Sequence, residues 1–432
     1  MSSPRSTTRH AWWVAFLAGM VSYLDAGAIV STGTALVLYG QAFGFGIETI
    51  APLSSLLTFS IAAGAVVGGV VGDRIGRKRT FLATLSLFVV GAAILAFSPG
   101  IAWLYLGIVL LGFAAGADLP VSLAMVAEAA TDDNRGKLIS FSHFLWMAGV
   151  IAVFLLGTVI GGLGELGARI LYGHLVVVGL VVLVLRMRLP ESQAWKTTTT
   201  LVAVEGAPRA RELLKPRYLA ALVATALFYS LVNIAANING QFGSYLYVEV
   251  AGVSVSTSSA ISLGIVLVSM AAVFFMMRVV DGPRRMVWFA VMAAVSLVAF
   301  LLPATLGVTV VTLMVFGVLY SIAGAVAGEP MYKVWSQELF PTSHRATAQG
   351  ITIAFTRVVA GVVGLWIPSL IAFGASAIFF LMAATSLVAF LIGILWIARM
   401  PKATDDDPAL RPAYDGFDPF VDTDTDAAAT QR

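Results

Sequence analysis

Apolar residues in this chain come in long unbroken runs, without the alternation of a half-buried strand or the one-sided stripe of a soluble amphipathic helix. Twelve runs approach the roughly 20 residues needed to cross a hydrocarbon layer. They fall at about 12–38, 50–71, 80–98, 102–127, 138–162, 167–186, 218–247, 258–279, 285–305, 309–333, 346–371 and 375–398. A backbone in lipid must satisfy its own hydrogen bonds, and a barrel would need short alternating segments, so the runs predict helices. The first of them is far longer than a signal-peptide core and reads as a retained helix. The longest polar break, about 187–217, contains Thr197 to Thr200, Gly206 and Pro208 and divides the runs six plus six. The expected organisation is an all-α membrane protein: an N-terminal six-helix bundle over 1–186, a linker over 187–217 and a C-terminal six-helix bundle over 218–400. A tail over 401–432 carries eight aspartates and few large apolar residues, a composition that predicts disorder.

Composition supports lipid as the main solvent, because only 11% of residues are charged against about 25% in soluble domains. There is no cysteine, hence no disulfide, thiolate metal site or cysteine nucleophile. No metal or other cofactor is expected. The net charge is +3 and the basic residues stand in short clusters between apolar runs, a pattern that argues against nucleic acid as a partner. Direct use of ATP is unsupported without a Gly-x4-Gly-Lys-Ser/Thr loop, and no catalytic constellation suggests an enzyme. Placing both termini in the cytoplasm puts 23 of the 26 Lys and Arg residues on that side, leaving Arg169 outside and Lys333 and Arg357 within spans. In the linker, Arg209, Arg211, Lys215 and Arg217 suit either a short helix on the anionic leaflet or plain solvated charge.

The break between the second and third runs reads Gly72-Asp73-Arg74-Ile75-Gly76-Arg77-Lys78-Arg79, and a degraded copy, Asp281-Gly282-Pro283-Arg284-Arg285, stands at the equivalent place in the second half. A glycine-permitted turn holding a carboxylate against guanidinium groups and a helix end makes a latch that can break when two halves rock. The run resembles the signature loop of the major facilitator superfamily, and the two copies imply an internal repeat. Ala127-Glu128 with Arg135-Gly136-Lys137, Pro190-Glu191-Ser192, Asn239, and Glu338-Leu339-Phe340-Pro341 with Arg345 resemble segments of its sugar-porter branch and metabolite:proton symporter relatives. The resemblance implies two pseudo-symmetric six-helix bundles, a monomer in the cell membrane, and a cytoplasmic gate in which Asp73, Arg74, Arg77, Glu128, Arg135, Glu191, Glu338 and Arg345 form salt bridges. It also implies that small polar metabolites and protons are the partners, besides the bilayer.

Ionisable groups inside a membrane are costly and therefore mark function. Here they are Asp25, Asp118, His143, His174, Glu329, Lys333 and Arg357. Asp25 sits mid-way along the first run, where the resemblance implies a protonatable Asp. The Arg of span 4 that pairs with this Asp in the xylose:proton type is matched here by Ile108, while Asp118, two residues before Pro120, resembles the phosphate:proton branch. Proton coupling is thus expected at Asp25, Asp118 or both, with Arg357 or Lys333 as counter-charges. Substrate binding is expected at Asn233, Asn237, Asn239 and Gln241, whose amides suit a hydroxyl-rich ligand, and at His143, which falls where sugar porters place a Gln. Lys333 and Arg357 occupy places where the xylose type has tryptophans, so a cationic wall for a carboxylate is an alternative, although Glu329 lies one helical turn before Lys333. Trp146, Trp335 and Trp366 suit an aromatic cavity surface or the membrane interface, and His174 is assigned no role. The expected function is proton-coupled uptake of a sugar or polyol by alternating access; the alternatives are symport of a sugar acid or other organic anion and, less favoured by the amide-rich seventh run, drug efflux.

Overall fold

The computed structural model describes residues 4–129, 135–187, 213, 215–279, 284–340 and 345–402. Within these, the side chains of 4–11, 73, 123–124, 127–129, 135–137, 139–140, 276–279, 337 and 345–346 lie outside the description. Among the described residues, twelve helices are long and apolar enough to cross a membrane: Trp12–Phe43, Ile47–Gly72, Arg77–Ala96, Ile101–Ser122, Phe141–Leu163, Glu165–Met187, Pro216–Val250, Val255–Phe275, Arg285–Leu306, Val310–Ser336, Thr347–Ala372 and Ser376–Arg399. These are spans 1 to 12. They match the twelve expected runs.

Packing repeats between the halves. Span 1 lies against spans 4, 5 and 6, and span 7 against spans 10, 11 and 12; spans 2 and 4 pair as do 8 and 10, and spans 3 and 6 as do 9 and 12. Adding six to a span number thus reproduces its neighbours, which is the pseudo-symmetry of two six-helix bundles. Between the bundles, span 2 meets span 11, span 5 meets span 8, and span 1 meets span 7, a set that the same operation maps onto itself.

Small residues set how closely the helices approach. A Cβ added at Gly64 or Gly68 of span 2 would overlap the backbone of Phe113 or Ala117 in span 4, and one added at Gly116 would overlap Ile61. Gly72 faces the Val121 side chain, whereas Gly69 looks into open space. The turn between spans 2 and 3 is shorter than its sequence suggests: one helix ends at Ile75, the next begins at Arg77, and Gly76 alone reverses the chain with φ 109°, in the left-handed range open to glycine.

An even number of spans returns the chain to the end at which it starts, here the near end. At the far end the bundles are sealed. Thr34 and Ser244 hydroxyls lie 3.1 Å apart, the Gln41 amide donates to Glu249 at 3.0 Å, and the Gln241 amide donates to the Thr58 hydroxyl at 2.7 Å. Glycines bring the backbones together: Gly33 abuts the carbonyls of Gly240 and Gln241, and Gly161 the backbone of Ser256. Gly157 of span 5 rests on Ser259 of span 8, and Gly364 of span 11 rests on Ser55 of span 2, so the two outer seams use the same glycine-on-serine contact in pseudo-equivalent places. Such close approach between backbones leaves no room for larger residues. Gly68→Leu is expected to lower stability by about 1–3 kcal/mol or more through overpacking, read as a drop in melting temperature in detergent, while Gly69→Ala leaves it essentially unchanged.

Candidate functional site in the cavity between the halves

Span 1 carries Asp25 into the centre of the molecule, where the residue is only 5% exposed. The Trp146 indole of span 5 lies beside its carboxylate, and the principal charge acting on it is Arg357 of span 11, with Glu329 of span 10 a weaker one. Asp25 and Arg357 belong to different halves. The half-buried Arg357 follows Thr356, whose hydroxyl lies 3.0 Å from that of Ser230 on span 7, so its base is tied into the C-terminal bundle.

Span 10 is broken. One helix runs Val310–Ala327 and a second Glu329–Glu338, with Gly328 between them in a non-helical conformation, φ −101° and ψ −141°. The second helix opens with Glu329 and Pro330, residues suited to a first turn because a carboxylate complements the helix dipole and Pro lacks only an N–H that would be unpaired there. Lys333 lies one turn on, its Nζ 2.9 Å from Glu329 Oε1, and the side chains of the pair are 55% and 49% exposed respectively. Lying in a membrane-spanning helix and interacting with Tyr229, Arg357 and His143, they owe that exposure to a wet cavity. The Tyr229 side chain lies near Glu329, and its ring stacks on Tyr332 with centroids 4.1 Å apart. On the opposite wall, His143 is exposed and parallel to Trp146, with ring centroids 6.0 Å apart, within reach of the Lys333 and Glu329 charges.

The structure therefore brings together Asp25, His143, Lys333 and Arg357. Of the span 7 amides, Asn233 and Asn237 stand one turn apart and are partly exposed, and Asn233 Oδ1 is buried with no partner among the described residues. Asn239 is exposed on another side of the helix. Gln241 departs from the expected cavity position: it is 2% exposed and committed to Thr58 in the far-end seam. The tryptophans separate, since Trp335 is buried among Phe228 and Phe289, Trp366 is 66% exposed, and Trp146 reaches Asp25.

Asp118 requires a correction. Its two oxygens are taken by the Arg186 guanidinium at 2.8 Å and the Thr84 hydroxyl at 3.0 Å, and the Arg and Asp side chains are 0% and 5% exposed. Arg186 also donates to the Leu17 carbonyl at 3.0 Å and 2.9 Å and lies 3.7 Å over the Phe81 ring. A carboxylate so engaged ties spans 1, 3, 4 and 6 together in a dry interior, away from the Asp25 cluster. Arg186 was concealed in the sequence because it sits at the end of a span, where it counts as ordinary flanking positive charge. The His174 ring accepts from Tyr23 at 2.9 Å and uses its other nitrogen on the Leu171 carbonyl at 3.1 Å, so it too is committed within the N-terminal half.

Of the expected gate, the side chains of Asp73, Glu128, Arg135 and Arg345, and all of Glu191, lie outside the described residues. Arg74 is exposed and Arg77 half-buried. Glu338 receives Arg285 through two hydrogen bonds of 2.7 Å and 2.8 Å, with Lys402 3.5 Å away. Glu338 is thus paired inside its own half, with an arginine of the degraded motif copy.

The family model described as Major Facilitator Superfamily matches residues 12–364. The minor myo-inositol transporter IolF of Bacillus subtilis is 30% identical over 392 residues, covering 88% of this chain and 89% of that one. The glucose transporter GlcP of Staphylococcus epidermidis is 24% identical, covering 74% and 80%. Among solved structures, a D-xylose-proton symporter superposes with a TM-score of 0.72 over 90% of this chain and 97% of the other at 18% identity, which speaks for the fold. Removing either partner of the buried ion pair leaves an uncompensated charge, so Arg186→Ala is expected to destabilise the protein by about 3–5 kcal/mol. Replacing the pair together (Asp118→Leu, Arg186→Met) should recover much of that loss in the same melting experiment.

Proposed function

This chain belongs to the Major Facilitator Superfamily and is a multi-pass membrane transporter, not an enzyme, and from that premise we propose that it imports a small neutral polyol or sugar together with a proton. The observation that carries the reading is a buried carboxylate, Asp25, facing Arg357 across the two halves in a wet cavity whose other walls are amides, phenols and a self-neutralised ion pair. Hydroxyl-rich ligands need donors and acceptors together, which Asn233, Asn237, His143 and the Glu329–Lys333 pair supply. The inositol and glucose transport named for the two relatives agrees with this chemistry.

The placement of basic residues supports a cell-membrane orientation with both termini in the cytoplasm. The far end is then external, and this conformation faces inward. Asp25 takes a proton while the cavity is open outside and loses it inside, where Arg357 steadies the emptied carboxylate until the substrate has gone. Closure of the near end engages Asp73, Arg74 and Arg77 with Glu128, Arg135, Glu191, Glu338 and Arg345. Asp118 is left to structure and Gln241 to the external seam.

A second reading, symport of a sugar acid, draws on Lys333 and Arg357, but both cations are opposed by carboxylates. A panel of neutral polyols, sugars and sugar acids tested for raising the melting temperature separates the two, since a ligand that binds the native state stabilises it; hits confined to acids would replace the first reading by the second. Asp25→Asn is expected to abolish gradient-driven accumulation in proteoliposomes while leaving exchange of labelled for unlabelled substrate. Full accumulation in that variant would remove Asp25 from the coupling site. Because the chain has no cysteine, Thr34→Cys with Ser244→Cys provides a clean crosslink at the far end. Oxidation should stop uptake and reduction restore it, whereas uptake by the crosslinked protein would mean that the far end is not a gate.

A further inference from the structure

The Glu329–Lys333 pair has the geometry of a ligand group. Held one turn apart at the start of a helix, the two side chains present an ammonium donor and a carboxylate acceptor 2.9 Å apart, each about half exposed to the cavity. The ammonium keeps N–H groups beyond the one directed at Glu329, and the carboxylate keeps lone pairs beyond the one facing Lys333. Two oxygens on adjacent carbons of a gauche diol have a similar separation. One such hydroxyl can accept from Lys333 while its neighbour donates to Glu329, which closes a ring of charge-assisted hydrogen bonds around the pair.

Resting on the reading of the cavity as a polyol site, we infer that Glu329 and Lys333 form a clamp for vicinal hydroxyls, and that the preferred substrate class is a neutral ring compound with adjacent hydroxyl groups. Charge balance favours a neutral ligand. Glu329 offsets Lys333 whether Asp25 is protonated or not, so the pair itself holds no surplus cation to draw in a carboxylate. The break at Gly328 is what lets Glu329 begin a helix inside the membrane. The pair also excludes poor ligands: a molecule that fills the cavity without a neighbouring donor and acceptor displaces water from both groups and returns nothing.

The test is binding by purified full-length protein, using myo-inositol or D-glucose, whichever the wild type binds, against 1,3,5-cyclohexanetriol, which has no adjacent hydroxyls, and D-glucuronate. The wild type should prefer the vicinal ligand by at least about tenfold over the triol, the scale of one hydrogen bond to a charged group. Glu329→Gln and Lys333→Met should each raise the dissociation constant for the vicinal ligand about tenfold or more and flatten its advantage over the triol. The exchanged pair, Glu329→Lys with Lys333→Glu, should recover part of that preference. Unliganded melting temperatures separate lost fold from lost recognition, and the wild-type ligand series stands even if a variant does not fold. Equal binding of triol and vicinal ligand by the wild type, or unchanged preference in the folded single variants, would overturn the clamp while leaving polyol transport intact. Binding of D-glucuronate with no binding of either neutral ligand would overturn the neutral-polyol reading and the clamp together.

Discussion

A charge placed at membrane depth must be either paired in a dry interior or wetted in a cavity, and this protein uses both solutions in different places. Arg186 and Asp118 take the first. Their ion pair, completed by Thr84, the Leu17 carbonyl and the face of Phe81, fastens four helices of one bundle. Glu329 and Lys333 take the second, half exposed in a space that both halves line, where the half-buried Arg357 faces the buried Asp25. Transport needs the second arrangement, because a group that binds and releases protons or ligands must reach water and must feel the relative position of the halves. The first arrangement ties the helices of the N-terminal half together, so that this half can move as a unit.

The seams at the far end explain how such halves can separate without unravelling. They rest on glycines against serines and backbone, with three side-chain hydrogen bonds and no ion pair among the described residues. Hydroxyl and amide groups there can exchange their partners for water at little net cost, whereas a buried salt bridge could not. The use of the same contact in the two outer seams follows from the internal repeat: what opens one opens the other. A discontinuous helix serves the cavity in a comparable way, since the break at Gly328 sets a carboxylate on a helix start within the membrane.

The sequence by itself determined the twelve spans, their division into two bundles and the family, because lipid demands long apolar helices and because the glycine- and charge-bearing turns are contiguous and readable. It also singled out Asp25, His143, Lys333 and Arg357, since an ionisable residue inside an apolar run stands out without any knowledge of its neighbours. Only the tertiary structure decided what each group meets. It paired Asp118 with Arg186, 68 positions away along the chain, sent Gln241 to the seam, and set Arg357 opposite Asp25 from the other half. The physical reason is that composition and periodicity register how a residue suits its solvent. Whether a polar side chain is spent on a partner or left to bind a substrate depends on helices distant in sequence, whose rotation and depth are set by close packing of small residues across the bundle.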